Sequence, residues 1–173
     1  MLPLVALIAV GAALSACTAT APEPTETALF SDEDEAFAAA EATYRAYVDA
    51  LNAVDLSDPD TFEDVYAWTT GEANADERKT LSQMHADSWT VNGETVVVLF
   101  APDSLDASDV TTVHAVVCTD VGDVEVKDSS GASVVSPDRP SRYSLQVIFT
   151  DADSPTGFLI SESTAIEDTR CEE

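Results

Sequence analysis

The spacing of apolar residues changes period once along the chain, and the change separates a helical half from a β half. Phe37, Ala40, Tyr44, Val48 and Leu51 recur three or four positions apart, the spacing that lines up one face of a helix. Ser31-Asp32-Glu33-Asp34 stands just before this run. Ser31 as N-cap and acids in the first turn, where the helix dipole favours them, predict a start there. The apolar face continues to about Val54. Asp58-Pro59 predicts a second start, cap then proline at the first helical position, with Phe62, Val65 and Trp68 carried on until Gly71. A third, more polar helix is predicted over 74–86, with Leu81, Met84 and His85 turned inward.

After Asp87 the period becomes two. Trp89 and Val91 precede Asn92-Gly93, a tight-turn dipeptide, and Thr95 to Ala101 is rich in β-branched residues. Further strands are predicted over 111–118, 142–150 and 157–166. The run from 142 alternates cleanly, with Tyr143, Leu145, Val147 and Phe149 on one face and Ser144 and Gln146 on the other. The stretch from Asp120 to Pro137 predicts a short hairpin or extended loop turning at Ser130-Gly131. Helices followed by antiparallel strands predict an α+β domain, N-terminal helices packed on a curved antiparallel sheet.

The N-terminal segment follows neither pattern. From Leu2 to Leu14 the chain is uncharged and almost wholly Leu, Ala, Val and Ile, which suits the apolar core of a signal peptide and is too short to span a bilayer. It ends in Leu14-Ser15-Ala16-Cys17, which resembles the lipobox of bacterial lipoproteins. That resemblance implies cleavage before Cys17, acylation of its thiol and new N-terminus, and stable anchoring through two or more acyl chains. Met1-Leu2-Pro3-Leu4 lacks the positive charge such a segment ordinarily carries. The plainer reading is an N-terminal helix with a core cysteine. The next residues, "TATAPEPTET" over 18–27, argue against it, because their composition suits a semi-extended tether. Residues 1–16 are thus assigned to a signal peptide, 17–30 to a lipidated cysteine and disordered linker, and 31–173 to one domain. The expected address is the extracytoplasmic face of the cell membrane.

Composition adds two constraints. The chain has 33 acidic and 7 basic residues, a formal net charge of −26. Such a surface repels nucleic-acid phosphates and anionic headgroups and attracts cations and basic proteins; solubility alone would also account for it. Besides Cys17 there remain Cys118 and Cys171. In an oxidising compartment an even pair reads as a disulfide, which would staple the chain end to a strand; the alternative is two buried free thiols.

Taken together, the order of elements resembles the NTF2-like (SnoaL-like) family, and more narrowly small Gram-positive lipoproteins of that fold. The residues carrying the resemblance are the lipobox, Trp89-Thr90-Val91-Asn92-Gly93, Cys118-Thr119-Asp120-Val121, Asp128-Ser129-Ser130-Gly131, Gly157-Phe158-Leu159-Ile160 and Cys171. The resemblance implies three helices on a curved sheet forming a cone; a cystatin-like helix-on-sheet domain would read almost identically. It also implies a ligand or active site between helices and sheet.

Within that frame His114, sharing a strand face with Val116 and Cys118, is the candidate acid–base residue, with Tyr44, Tyr66 and Trp68 as candidate pocket walls. A histidine on a half-buried strand is more often structural. No Gly-x-Ser-x-Gly, phosphate loop or His-x-x-x-His pair occurs. Asp151-Ala152-Asp153 with Glu162 mimics part of a calcium loop, but Pro155 and Thr156 stand where a ligand and the turn glycine belong. A hairpin loop is the better reading. No metal, cofactor or catalytic set is therefore assigned. The function expected is a lipid-anchored binding or accessory module whose partner is a protein or small ligand. The alternatives are a small enzyme working through His114 and a structural envelope component.

Overall fold

The computed structural model describes residues 30–107 and 111–171, so the signal-peptide, lipobox and tether readings lie outside the described residues. Helix α1 spans Glu33–Asn52. Its N-cap is Asp32 rather than Ser31: the Asp32 carboxylate accepts from the Glu35 amide at 2.9 Å. Ser31 sits one position outside, and its amide and hydroxyl donate to the Glu35 carboxylate at 2.7 and 2.5 Å. The two acids thus share the capping work the sequence predicted for one serine.

The second predicted helix is shorter than its apolar spacing suggested. A 3₁₀ turn over Pro59–Thr61 leads into α2, Phe62–Tyr66, and the chain then straightens. The cause is pairing with the sheet: the Ile160 amide donates to the Trp68 carbonyl at 3.0 Å and the Thr70 amide to the Ile160 carbonyl at 2.8 Å. These bonds hold Thr69 in a parallel bridge with Ile160. Gly71 opens the next helix, α3 (Gly71–Ala86), instead of closing the previous one. At φ +55°, a Cβ on Gly71 would stand 3.3 Å from the Ser161 carbonyl oxygen, so its bareness lets α3 start hard against the sheet. Leu81 is buried and Met84 half-buried as predicted; His85 is exposed, its Nδ1 2.7 Å from the Leu56 carbonyl.

Six strands follow: β1 Thr90–Asn92, β2 Val96–Ala107, β3 Thr111–Asp120, β4 Glu125–Lys127, β5 Arg142–Asp151 and β6 Phe158–Ile166. The main sheet is antiparallel in the order β2-β3-β5-β6, and β1 pairs with β4 in a separate two-stranded ribbon. Asn92-Gly93 therefore does not close a β1–β2 hairpin, although it does turn the chain. Gly93 has φ +87°, and a Cβ there would fall 2.0 Å from the Asp123 carbonyl oxygen, so only glycine fits beside the ribbon. The predicted turn at Ser130-Gly131 is present: Asp128 Oδ1 accepts from the Ser130 and Ala132 amides, and Lys127 bridges Ser133 across it. Strand β2 runs past its predicted end through Pro102, which an edge strand tolerates; the register shifts between Pro102 and Ser104. Asp151–Phe158 closes the β5–β6 hairpin, as read from the sequence.

The alternation in β5 holds. Val147 and Phe149 are fully buried with Leu145 beside them, and Gln146 is exposed. They join Val113, Ala115, Val117, Phe158 and Ile160 on the sheet face that receives Ala36, Ala40, Tyr44 and Val48 of α1. A second cluster packs Leu56, Phe62, Val65, Tyr66 and Leu81 between the helices. On the other sheet face, Val116, Cys118 and Cys171 form a third. Cys118 and Cys171 are joined by a disulfide, their Cα atoms 5.4 Å apart, which ties the terminal 3₁₀ turn Thr169–Cys171 to β3. The result is the α+β class expected from the sequence, three helices on an antiparallel sheet.

Candidate functional site

The four residues assigned to a pocket do not meet. In β3, Val113, Ala115 and Val117 face the helices, so strict alternation puts His114 on the other face with Val116 and Cys118. The expected face-sharing is correct, but that face is the one the helices leave uncovered. The His114 imidazole makes no hydrogen bond or ion pair among the described residues, and its reach to Tyr44 is blocked by the sheet itself. Tyr66 is buried in the inter-helix cluster, edge-on to Phe62, with the Arg78 guanidinium 3.9 Å above its ring. Trp68 is half-buried in the segment bridged to β6. Among the described residues the sheet therefore separates His114 from Tyr44, Tyr66 and Trp68.

Of the four, Tyr44 lines a cleft that lies between α1, α3 and the second half of β6 and encloses about 360 Å³. Helix geometry assembles its walls. Tyr44 and Tyr47 are three apart on α1, and Glu72, Ala73, Asp76 and Glu77 fall on one stripe of α3. Glu162, Ser163, Thr164 and Ala165, all exposed, supply the third wall from β6. This strand ends its sheet; among the described residues the Trp68–Thr70 segment pairs with it at Ile160, and beyond that the edge borders the cleft. Four carboxylates line the space, from Glu72, Asp76, Glu77 and Glu162, and no basic side chain does.

Two polar groups inside behave unlike the surface acids. The Tyr47 hydroxyl donates a short hydrogen bond to Glu77 Oε1. Burial pushes the Glu77 carboxyl above the ordinary carboxylate range; the Tyr47 bond pulls the other way, and neighbouring Asp76 adds to the rise. Tyr44 is 3% exposed. Its ring is held edge-on to Phe149, centroids 6.4 Å apart, and tilted against Tyr47 at 5.7 Å. Its hydroxyl has no hydrogen-bond partner among the described residues. No side-chain oxygen or nitrogen there is both sealed from solvent and unpartnered, so this hydroxyl opens on the cleft it lines. Burial, and then the charge of Glu77, raises its pKa, keeping it a neutral donor and acceptor. A smaller cleft of about 270 Å³, walled by apolar residues including Leu51, Leu81, Met84 and Val126, adjoins Glu77 from the other side.

No group of three or more His, Cys, Asp or Glu is placed to hold a metal among the described residues. The groups that line the cleft offer hydrogen bonding and attraction of positive charge. The sequence had singled out Tyr44. It gave no means of finding Glu77, because in a chain with 33 acidic residues carboxylate spacing carries no signal.

A pH-dependent stability follows from Glu77. Its folded-state pKa lies above the value of 4.5 for an unburied glutamate, so between the two the folded state binds more protons than the unfolded one. Stability is therefore lost as pH rises through that window, and the penalty is constant above it. Asp76, Glu72, Glu162, Tyr44 and Tyr47 face the same space. Glu77→Gln keeps an acceptor for Tyr47 and removes the charge. Thermal melts should show the variant unfolding a few degrees above the parent at pH 7.5, with the gap closing below about pH 4.5. A gap unaffected by pH would contradict the assignment.

No family model and no curated protein sequence matches the chain. Solved structures do match in fold. The intermembrane space region of chloroplast protein ARC6 aligns at TM-score 0.51 and 14% identity, over 75% of this chain and 95% of that one. CagV, a VirB8 homolog of the type IV secretion system of Helicobacter pylori strain 26695, aligns at 0.47 and 9%, over 76% and 99%. An NTF2-like protein of unknown function from Exiguobacterium sp. 255-15 aligns at 0.34 and 12%, over 73% and 98%. At these identities the likeness is one of fold alone.

Proposed function

We propose that this protein is an extracytoplasmic accessory module, anchored by lipid at Cys17, that holds a protein partner without chemical turnover. The observation that carries the reading is the Cys118–Cys171 disulfide, because such bonds form and persist in oxidising compartments. The apolar run ending at Cys17 and the Thr/Pro tether after it supply the route and the anchor. No helix among the described residues is long and apolar enough to cross a membrane. The fold likeness to the intermembrane space region of ARC6 is a further point of support. The net charge of −26 disfavours nucleic acid and favours a basic partner.

Cys17→Ser tests the anchor. The parent should sediment with membranes and enter the detergent phase on Triton X-114 partition, and the variant should lose at least nine-tenths of both. Equal partitioning of variant and parent would refute lipidation at Cys17.

A further inference from the structure

We propose that the cleft between α1, α3 and β6 receives a lysine or arginine side chain, presented by an extended segment of a partner protein laid along the open edge of β6. This names the partner chemistry for the binding role proposed above and rests on that role, but not on the lipid anchor.

Three independent features select this occupant. The first is charge: Glu72, Asp76, Glu77 and Glu162 line the cleft, and among the described residues no basic side chain does. Asp76 adds to the cost of charging its half-buried neighbour Glu77, a cost that a cation in the cleft relieves. Acidity alone is common on this surface and would select nothing. The second feature is the Tyr44 hydroxyl, 97% buried with its residue yet unpartnered and opening into the same space. Burial and ring contacts fix the Tyr44 side chain while its hydroxyl reaches solvent in the cleft, so a ligand donor entering there meets a preset acceptor. An ammonium or guanidinium can donate to the Tyr44 oxygen and still reach a carboxylate. The third is the wall formed by Glu162–Ala165, exposed residues of a strand that ends its sheet. An edge strand pairs through its main chain with an added strand, and alternate side chains of that strand would point into the groove. A free polyamine would use the first two features and leave the third unused.

The test is calorimetric titration of the full chain in non-ionic detergent, with a capped peptide of alternating lysine and valine as the probe and spermidine in a parallel arm. Tyr44→Phe removes one oxygen and no charge, and it should weaken peptide binding about tenfold, the effect of a lost hydrogen bond to a charged group. Thr164→Arg, an exposed substitution that supplies the cleft with its own cation, should abolish binding. Glu94→Gln, an exposed acid outside the cleft, should leave affinity within twofold. The same peptide with acetylated lysines should not bind. Equal affinity in the parent, Tyr44→Phe and Thr164→Arg would show binding to the acidic surface at large and overturn the proposal. Spermidine binding as tightly as the peptide, with the same loss in Tyr44→Phe, would overturn the peptide occupant. Failure of Cys17→Ser to change membrane partition leaves both readouts untouched, so the two readings fail separately.

Discussion

Replacing both bridged cysteines, as Cys118→Ala with Cys171→Ala, should lower the unfolding free energy by about 4 kcal/mol in chemical denaturation. The magnitude comes from the 53-residue separation of the two cysteines: the cross-link removes loop-closure entropy from the unfolded chain, and longer loops gain more. Among the described residues, packing of Cys171 against Val116 and a few hydrogen bonds also hold the end. The Ser144 hydroxyl donates to the Asp168 carbonyl at 3.3 Å, and the remaining bonds of the terminal turn are local, Arg170 to Asp168 and the Cys171 amide to the Asp168 carbonyl. Without the bridge the chain from about Glu167 should exchange its amides freely while β3 and β5 stay protected. The parent under strong reductant should match the double variant. A loss below about 1 kcal/mol in either would mean that the end docks without its bond.

Phe149→Ala should cost a comparable amount, about 3–5 kcal/mol. Phe149 is fully buried, between the rings of Phe100 at 5.9 Å and Tyr44 at 6.4 Å. Its removal leaves a cavity under α1 and also frees the Tyr44 ring whose hydroxyl lines the cleft. Stability and peptide binding should therefore fall together. Gln146→Ala, three positions away on the exposed face, should stay within about 0.5 kcal/mol of the parent. Similar costs for the two would contradict the assignment of faces in β5.

These two sites also show what was legible beforehand. Phe149 could be placed in the core because period two survives wherever one sheet face is buried, and Cys118 could be paired with Cys171 by compartment and count. His114 failed for the same geometric reason that Phe149 succeeded. Alternation correctly grouped it with Val116 and Cys118, but a single strand does not reveal which of its faces the helices will cover. Trp68 was misread as helical because its spacing from Val65 is helical, whereas its backbone hydrogen-bonds to Ile160, some ninety positions later in the chain. Asn92-Gly93 turns the chain as expected, but the strand before it pairs with β4, a choice made by the Gly93–Asp123 approach and invisible in a dipeptide. The cleft itself needed three elements to be brought together. Of its polar residues only Tyr44 stood out, as an aromatic on a helix face.

The intact mass of protein extracted gently from its own membranes tests the proposed anchor and the Cys118–Cys171 bond together. The predicted mass begins at Cys17, carries diacylglycerol and an N-linked acyl chain, and is two hydrogens light from the Cys118–Cys171 bond. A mass that retains Met1, carries no lipid and shows three free thiols would contradict it.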